Sequence, residues 1–287
     1  SWTSLGVLGR GAGGEVLRVV RKGDPAGQHF ALKRLTRSGP AWRERFARGA
    51  ELLGRVRHPQ VPRIVDCRLD LAEPYFVSEL REGVLLVDRV RPYANRVPDL
   101  REACLLTGGL LSALDACHAV GVVHCDVKAQ NLVIPDDDPS RPMLLDFDLA
   151  REVGEVGSLG VPAHPSVDLV HAALIFLNVL IGHFQLPAHW WGLPPHKHPQ
   201  VARRLADMPF DSRQAATAFL RKAFDPSPDR RFQTAEEMRA VIEATMRTSA
   251  SDAAMSADRP AARSPAGLGV LALLPDGSPA WEGGIAW

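Results

Sequence analysis

Apolar and polar residues follow a strand-like pattern at the start of the chain and change to a helical period further on. Residues 4–8 read as a strand, and so does Glu15-Val16-Leu17-Arg18-Val19-Val20, which is rich in β-branched residues. Between them lies Gly9-Arg10-Gly11-Ala12-Gly13-Gly14, and a turn at Gly23-Asp24-Pro25-Ala26-Gly27 precedes a third strand over 29–35. Residues 41–56 read as a helix, and 61–64 and 75–80 as two further strands. From 99 to 120 the apolar positions Leu100, Ala103, Leu106, Leu110, Leu114 and Cys117 recur at i, i+3, i+4 spacing, which predicts a long amphipathic helix with His118 as a packed core histidine. Residues 132–134 and 143–145 read as a strand pair, joined by turn formers over 135–142. An apolar helix is expected over 169–181, and Thr234 followed by Glu237 reads as a helix capping box. Strand-rich before Gly83 and helix-rich after it, the chain suits an α+β fold.

Composition narrows the class. The 287 residues are 46% apolar and 23% charged, as in a globular protein with a large core. A formal net charge of +1 gives no reason to invoke nucleic acid or an acidic membrane. Cys67, Cys104, Cys117 and Cys125 lie far apart, without a C-x-x-C, and read as free thiols of a reducing, cytoplasmic compartment. No signal region and no apolar run of membrane-spanning length is expected, and the chain, which begins Ser1-Trp2-Thr3, reads as part of a longer multidomain polypeptide. His196-x-His198 has no evident third ligand and reads as a surface loop. Beyond Thr248 a Ser/Ala/Asp/Pro/Arg run to Pro265 reads as a flexible linker, and 269–277 as a strand and turn.

Candidate chemistry centres on His124-Cys125-Asp126-Val127-Lys128-Ala129-Gln130-Asn131 and on Leu144-Leu145-Asp146-Phe147-Asp148. An aspartate can orient a hydroxyl and accept its proton, a lysine two positions on can neutralise phosphoryl charge, and an amide and a carboxylate can bind hard Mg²⁺ ions. The octet resembles the catalytic loop of eukaryotic-like protein kinases, H-R-D-x-K-x-x-N, and the second segment their magnesium-binding D-F-G. Gly9-Arg10-Gly11-Ala12-Gly13-Gly14-Glu15-Val16 matches G-x-G-x-x-G-x-V. Dinucleotide-binding folds share that glycine spacing, but there the loop opens a helix, whereas here a strand follows. Ala31-Leu32-Lys33 resembles the kinase V-A-I-K, and residues 219–238 resemble the end of bacterial serine/threonine kinase domains.

The resemblance covers residues 3–247 and implies a bilobal protein-kinase-like fold: a small β-rich N-lobe (3–82) and a larger helical C-lobe (83–247), followed by a linker and tail (248–287). It implies ATP and Mg²⁺ as cofactors and an unidentified protein as substrate. Asp126 and Lys128 would be catalytic, and Asn131 and Asp146 would bind metal. Gly9, Gly11, Gly14, Val16, Ala31, Lys33, Glu79 and Arg81 would bind the nucleotide, with Ser78 as gatekeeper and the backbone of 79–81 meeting adenine. Asp168 would brace the catalytic loop.

Departures are equally legible. Gly49 stands where the family carries the glutamate that holds the lysine; Glu51 or Glu44 reaches Lys33 if the helix is shifted, or the pair is missing. Asp148 replaces the glycine of D-F-G, an extra carboxylate beside the metal site, and Cys125 replaces the arginine that reads a phosphorylated loop. The activation segment between Asp146 and Asp168 is short, lacks Ala-Pro-Glu, and carries only Ser158 and Ser166 as hydroxyl side chains. Arg231, whose family partner is that missing glutamate, needs another. Three functions remain open: an ATP-dependent serine/threonine protein kinase, a pseudokinase that binds nucleotide or a partner, and a small-molecule kinase of related fold.

Overall fold

A computed structural model describes residues 1–11, 13–24, 27–90, 100–157, 160–182 and 197–257. The expected two-lobed α+β arrangement is present. The N-lobe is an antiparallel sheet in the order β1-β2-β3-β5-β4, made of β1 (Trp2–Arg10), β2 (Gly14–Arg21), β3 (Phe30–Leu35), β5 (Tyr75–Glu79) and β4 (Ile64–Arg68). Strand alternation gives this sheet two working faces. Phe30 and Leu32 of β3 join Val19 and Val77 in a small outer cluster. The intervening positions Ala31 and Lys33 face the other way, opposite Ser78 and Phe76 of β5, with Val16 paired to Lys33 from β2. Period two therefore sets the lysine on the cleft side.

Helix α1 (Pro40–Arg55) follows, with Pro40 in its first turn, and stops before His58-Pro59. The connection to β4 leans on the C-lobe: His58 Nε2 lies 3.1 Å from Ser112 Oγ, and the Leu144 N–H donates to the Gln60 carbonyl at 2.8 Å. This corrects the strand expected at 61–64. The Val61 N–H donates to His58 O at 3.1 Å in a turn, Pro62 has no N–H to give, and pairing starts at Ile64.

The C-lobe begins with β6 (Val84–Leu85) and α2 (Leu86–Val90) and is built on α3 (Leu100–Ala119). All six apolar positions of the predicted stripe on α3 are buried. After β7 (Val122–Val123) come a 3₁₀ turn (Ala129–Asn131), β8 (Leu132–Ile134), β9 (Met143–Leu144) and β10 (Arg151–Glu152). β8 pairs with β9 as expected, and β10 pairs with β7. Helix α4 (Pro165–Ile181) starts earlier than the expected 169 because Pro165 and a His164 side-chain cap extend it, so Asp168 lies within its first turn. Helices α5 (Pro199–Ala206), α6 (Phe210–Ala223) and α7 (Ala235–Ala257) complete the lobe. Thr234 Oγ1 accepts from the Glu237 N–H at 3.0 Å, the capping contact the sequence predicts.

The linker expected beyond residue 247 is corrected in part: α7 continues to Ala257, and Asp252 accepts the Ser212 N–H at 3.0 Å. The strand and turn expected at 269–277 lie outside the described residues. So does His196; His198 accepts the Gln200 N–H at the start of α5.

Candidate active site

Asp168, fully buried, organises the catalytic loop. Its Oδ2 accepts the His124 N–H at 2.8 Å, its Oδ1 accepts the Cys125 N–H at 2.8 Å, and His118 Nε2 lies 2.9 Å from Oδ2. Those bonds hold Cys125 at φ 62°, a left-handed backbone that a non-glycine residue adopts only when its surroundings enforce it. His118, expected as a packed histidine, is thus a bonded one. The His124 ring is fully buried; Nε2 donates to Leu145 O at 3.0 Å and Nδ1 accepts from the Asp126 N–H at 3.3 Å. Burial holds this imidazole below its usual pKa, so the ring stays neutral and keeps one donor and one acceptor.

On this base the Asp126 carboxylate receives Lys128 Nζ at 2.6 Å and Asn131 Nδ2 at 3.0 Å. With its nitrogen also on Asp126 O at 2.9 Å, Asn131 donates through Nδ2, and its amide oxygen is an acceptor by chemistry. From the next turn, Asp146 accepts Lys33 Nζ at 2.7 Å across 113 residues of sequence. Phe147, 3% exposed, seats its ring edge-on against His124 at 4.7 Å between centroids, which fixes the turn that aims Asp146.

Lys33 has a second partner, Asp148 Oδ1 at 2.6 Å. Two carboxylates share one ammonium, and burial opposes both charges. At Asp146 the charge and hydrogen bond of Lys33 outweigh burial and hold the carboxyl below its usual range. At Asp148 burial, together with the neighbouring Asp146, wins and pushes the carboxyl up. Neither helix glutamate takes part: Glu51 is paired with Arg55 at 2.6 Å and Glu44 is exposed. The lysine's second carboxylate therefore comes from the 146–148 turn instead of the helix. The two local signals, Gly49 and Asp148, were both visible in the sequence; only their proximity was not.

The glycine-rich loop divides into two kinds of glycine. A Cβ at Gly9 or Gly11 would meet no atom within 4 Å, so these positions leave backbone open to a ligand. At Gly14 a Cβ would come within 2.1 Å of the Arg34 carbonyl oxygen, so β2 and β3 themselves require that glycine. At the far end of the cleft Ser78 is buried and the Glu79 N–H donates to Arg63 O at 3.0 Å. Arg81 is exposed just beyond. Among the described residues no cluster of three or more His, Cys, Asp or Glu could hold a metal. A cation at Asn131 and Asp146 would need oxygens from elsewhere. Arg231 finds its partner in the Asp225 carbonyl at 2.7 Å.

The model of the protein kinase domain matches residues 2–167, more than half of the chain. A probable serine/threonine-protein kinase of Streptomyces coelicolor, SCO3848, is 27% identical over 271 residues, covering 84% of this chain and 39% of that protein. Serine/threonine-protein kinase PknH of Mycobacterium bovis is 35% identical over 147 residues, covering 50% and 24%. The chain thus spans about two fifths or less of the length of these curated relatives. The PknI kinase domain of Mycobacterium tuberculosis superposes with a TM-score of 0.65 at 22% identity, covering 85% of this chain and 95% of that one, a likeness of fold. The chain belongs to the protein kinase family, as a domain of the bacterial eukaryotic-like serine/threonine type.

Proposed function

We propose that this domain transfers the γ-phosphoryl group of ATP to serine or threonine hydroxyls of a protein. The observation that carries the reading is the Lys33–Asp146 contact at 2.7 Å, which brings the β3 lysine to the same cleft as Asp126 and Asn131. Asp126 accepts the hydroxyl proton, oriented by the two donors on its carboxylate; such positioned bases contribute roughly 10²–10⁴-fold. Lys128, half-exposed beside it, supplies positive charge where the phosphoryl group passes. Lys33 holds the α/β-phosphates, with the open backbone at Gly9 and Gly11 above them and Gly14 fixing the hairpin. Val16 and Ala31 flank the base, and the backbone of Glu79 to Arg81 meets its edge. Asn131 and Asp146 are hard oxygen donors suited to Mg²⁺, whose shell phosphate oxygens and water complete. That ion supplies neutralisation of charge developing on the phosphates.

A protein substrate is supported by the segment after β10. It forms a small hairpin, with the Gly154 N–H on Ala163 O and the Ala163 N–H on Glu155 O, both at 2.8 Å. Val153, Val156 and Val161 stand exposed on it, an apolar surface suited to a polypeptide. None of the four cysteines forms a disulfide, and no described helix is long and apolar enough to cross a membrane. A cytoplasmic location and a place in a longer multidomain polypeptide belong to the same proposal.

The test is incubation of the purified chain with labelled ATP, Mg²⁺ and a mixture of protein substrates, beside Asp126→Asn, with thermal shift read in parallel. Transfer of label by the wild type alone, with ATP·Mg²⁺ raising the melting temperature, is expected. A melting shift without transfer would replace the reading with a nucleotide-binding pseudokinase, and neither signal would overturn both.

A further inference from the structure

Two departures from the family pattern lie far apart in sequence and meet in space. Gly49 sits on the buried face of α1, against the 146–148 turn. A Cβ there would come within 2.9 Å of the Phe147 carbonyl oxygen and 3.3 Å of the Asp148 Cα. Both neighbours are backbone, so any larger residue forces the helix and the turn apart. Asp148 gains two contacts from this close approach and lies beside the glycine-rich loop. Its Oδ1 takes Lys33 Nζ at 2.6 Å, and its carbonyl takes Arg45 Nε, from the same helix, at 3.1 Å. Its Oδ2 lies 3.6 Å from where a Cβ of Gly13 in the glycine-rich loop would stand. Lys33 and Asp148 are 15% and 18% exposed, so this pair is the more enclosed of the lysine's two; Asp146 is 40% exposed.

We propose that Asp148 is the positioning residue for Lys33, supplying from the 146–148 turn the carboxylate that helix α1 lacks, and that glycine at 49 is what admits it. The consequence for turnover rests on the phosphoryl-transfer reading above; the pairing itself does not. Asp146 cannot fill this role alone, because it is one of the two residues assigned to the cation. With Asp146 committed to a cation, Asp148 would still hold the lysine. The two unusual residues are then one device: the carboxylate moves from helix to turn, and the side chain at 49 is removed to let the turn come close.

The experiment compares wild type, Asp148→Asn, Gly49→Glu and the reciprocal double variant Gly49→Glu/Asp148→Gly. Two readouts are independent of turnover. One is the rate at which an N-hydroxysuccinimide ester acylates Lys33 in the ligand-free protein, followed by mass spectrometry with exposed Lys22 as internal reference. The other is the ATP·Mg²⁺ dissociation constant by calorimetry. Asp148→Asn should raise Lys33 acylation about threefold or more, since a lysine released from the more enclosed of its two carboxylates is freer to move and to meet the ester. It should weaken ATP binding about tenfold, with KM for ATP rising more than kcat falls. Gly49→Glu should be destabilised both alone and with Asp148→Gly, because the atoms a side chain at 49 meets are backbone that Asp148→Gly leaves in place. Unchanged Lys33 acylation in Asp148→Asn would overturn the proposal, even if Gly49→Glu fails to fold. So would an effect confined to the Mg²⁺ concentration needed, which would make Asp148 a metal ligand. If wild type binds no ATP, the functional reading fails, and the acylation comparison still decides the pairing.

Discussion

Arg48 on helix α1 is ion-paired with Glu155, 107 residues further along, in the hairpin that follows β10. It is one of three such ties. Arg55 pairs with Glu152, and Arg45 donates to the Asp148 carbonyl at 3.1 Å. Positions 45, 48 and 55 recur at helical spacing, so one side of α1 faces the activation segment with arginines. Each exposed pair is worth about 0.2–1 kcal/mol, but together they hold helix and segment in register without a phosphate. Cys125, in place of the family's arginine, could not read one. Activity should therefore be independent of phosphorylation between Asp146 and Asp168. Phosphatase treatment, or Ser158→Ala with Ser166→Ala, should leave the rate within about twofold, roughly 0.4 kcal/mol of barrier. Ser166 is already engaged with His164 at 2.9 Å; Ser158 lies outside the described residues. Loss of most of the rate in the double variant, with phosphate found on either serine, would reject this.

The Asp126 carboxylate is hydrogen-bonded to Lys128 and Asn131, whereas Lys33 is bonded to Asp146 and Asp148. Its removal should therefore spare nucleotide binding. Asp126→Ala is expected to lower turnover by about 10²-fold or more while the ATP dissociation constant stays within about threefold. Steady-state kinetics and calorimetry on the same preparation check both halves. Turnover that survives the substitution would point to a contaminant or another site.

Asp168 is a stability prediction. Its carboxylate satisfies two backbone N–H groups, of which that of His124 is in a fully buried residue. Asp168→Ala leaves both without a protein partner, at about 1–3 kcal/mol each. Urea denaturation should show a loss of about 2–6 kcal/mol, and Asp168→Asn, which can still accept at one oxygen, should lose less. A change under about 0.5 kcal/mol in the alanine variant would mean that water or a local shift replaces the carboxylate.

The thiols should react in a fixed order. Cys125 is pushed up to about 11, chiefly by burial and next by Asp168, so at pH 8 only about one molecule in 10³ carries its thiolate. Because the thiolate is the reactive form, alkylation of Cys125 should rise about tenfold per pH unit through the range in which the fold survives. Cys67 is also raised, by burial first and Asp66 next, but is exposed and should label first. Cys104 and Cys117 are buried and should label only on unfolding. Iodoacetamide labelling with peptide mapping tests the order; early modification of Cys125 at pH 7 would contradict it.

What was legible in the sequence was local. The octet from His124 to Asn131 fixes its own geometry within a few residues, and the period of α3 declares its buried stripe. Boundaries failed where a weaker signal competed. Val61 reads as the first residue of a strand, yet it is buried in the core below a turn, and pairing waits for Ile64. The start of α4 is hard to read because its cap is a histidine ring, outside the usual Ser, Thr, Asp and Asn; Pro165 is the usable cue. The 248–257 stretch has a linker's composition, but alanine is also the best helix former, and Asp252 anchors it to Ser212. The partner of Lys33 was beyond reach for another reason. Counting along α1 shows that position 49 lacks a carboxylate, but only the approach of the helix to Phe147 shows where the replacement stands.

Phe147 itself has a consequence for inhibitor selectivity. Its ring is seated against His124, and its carbonyl, which accepts the Ala150 N–H at 3.0 Å, lies against Gly49 of α1. A compound that binds only when this phenylalanine swings out must also withdraw Asp148 from Lys33 and from Arg45. The apparent affinity of such a compound is reduced by the small fraction of molecules in that state. Ligands that leave the turn seated and use the cleft face of β2 and β3 meet no such handicap. Screening against this domain should accordingly favour the second chemotype over the first.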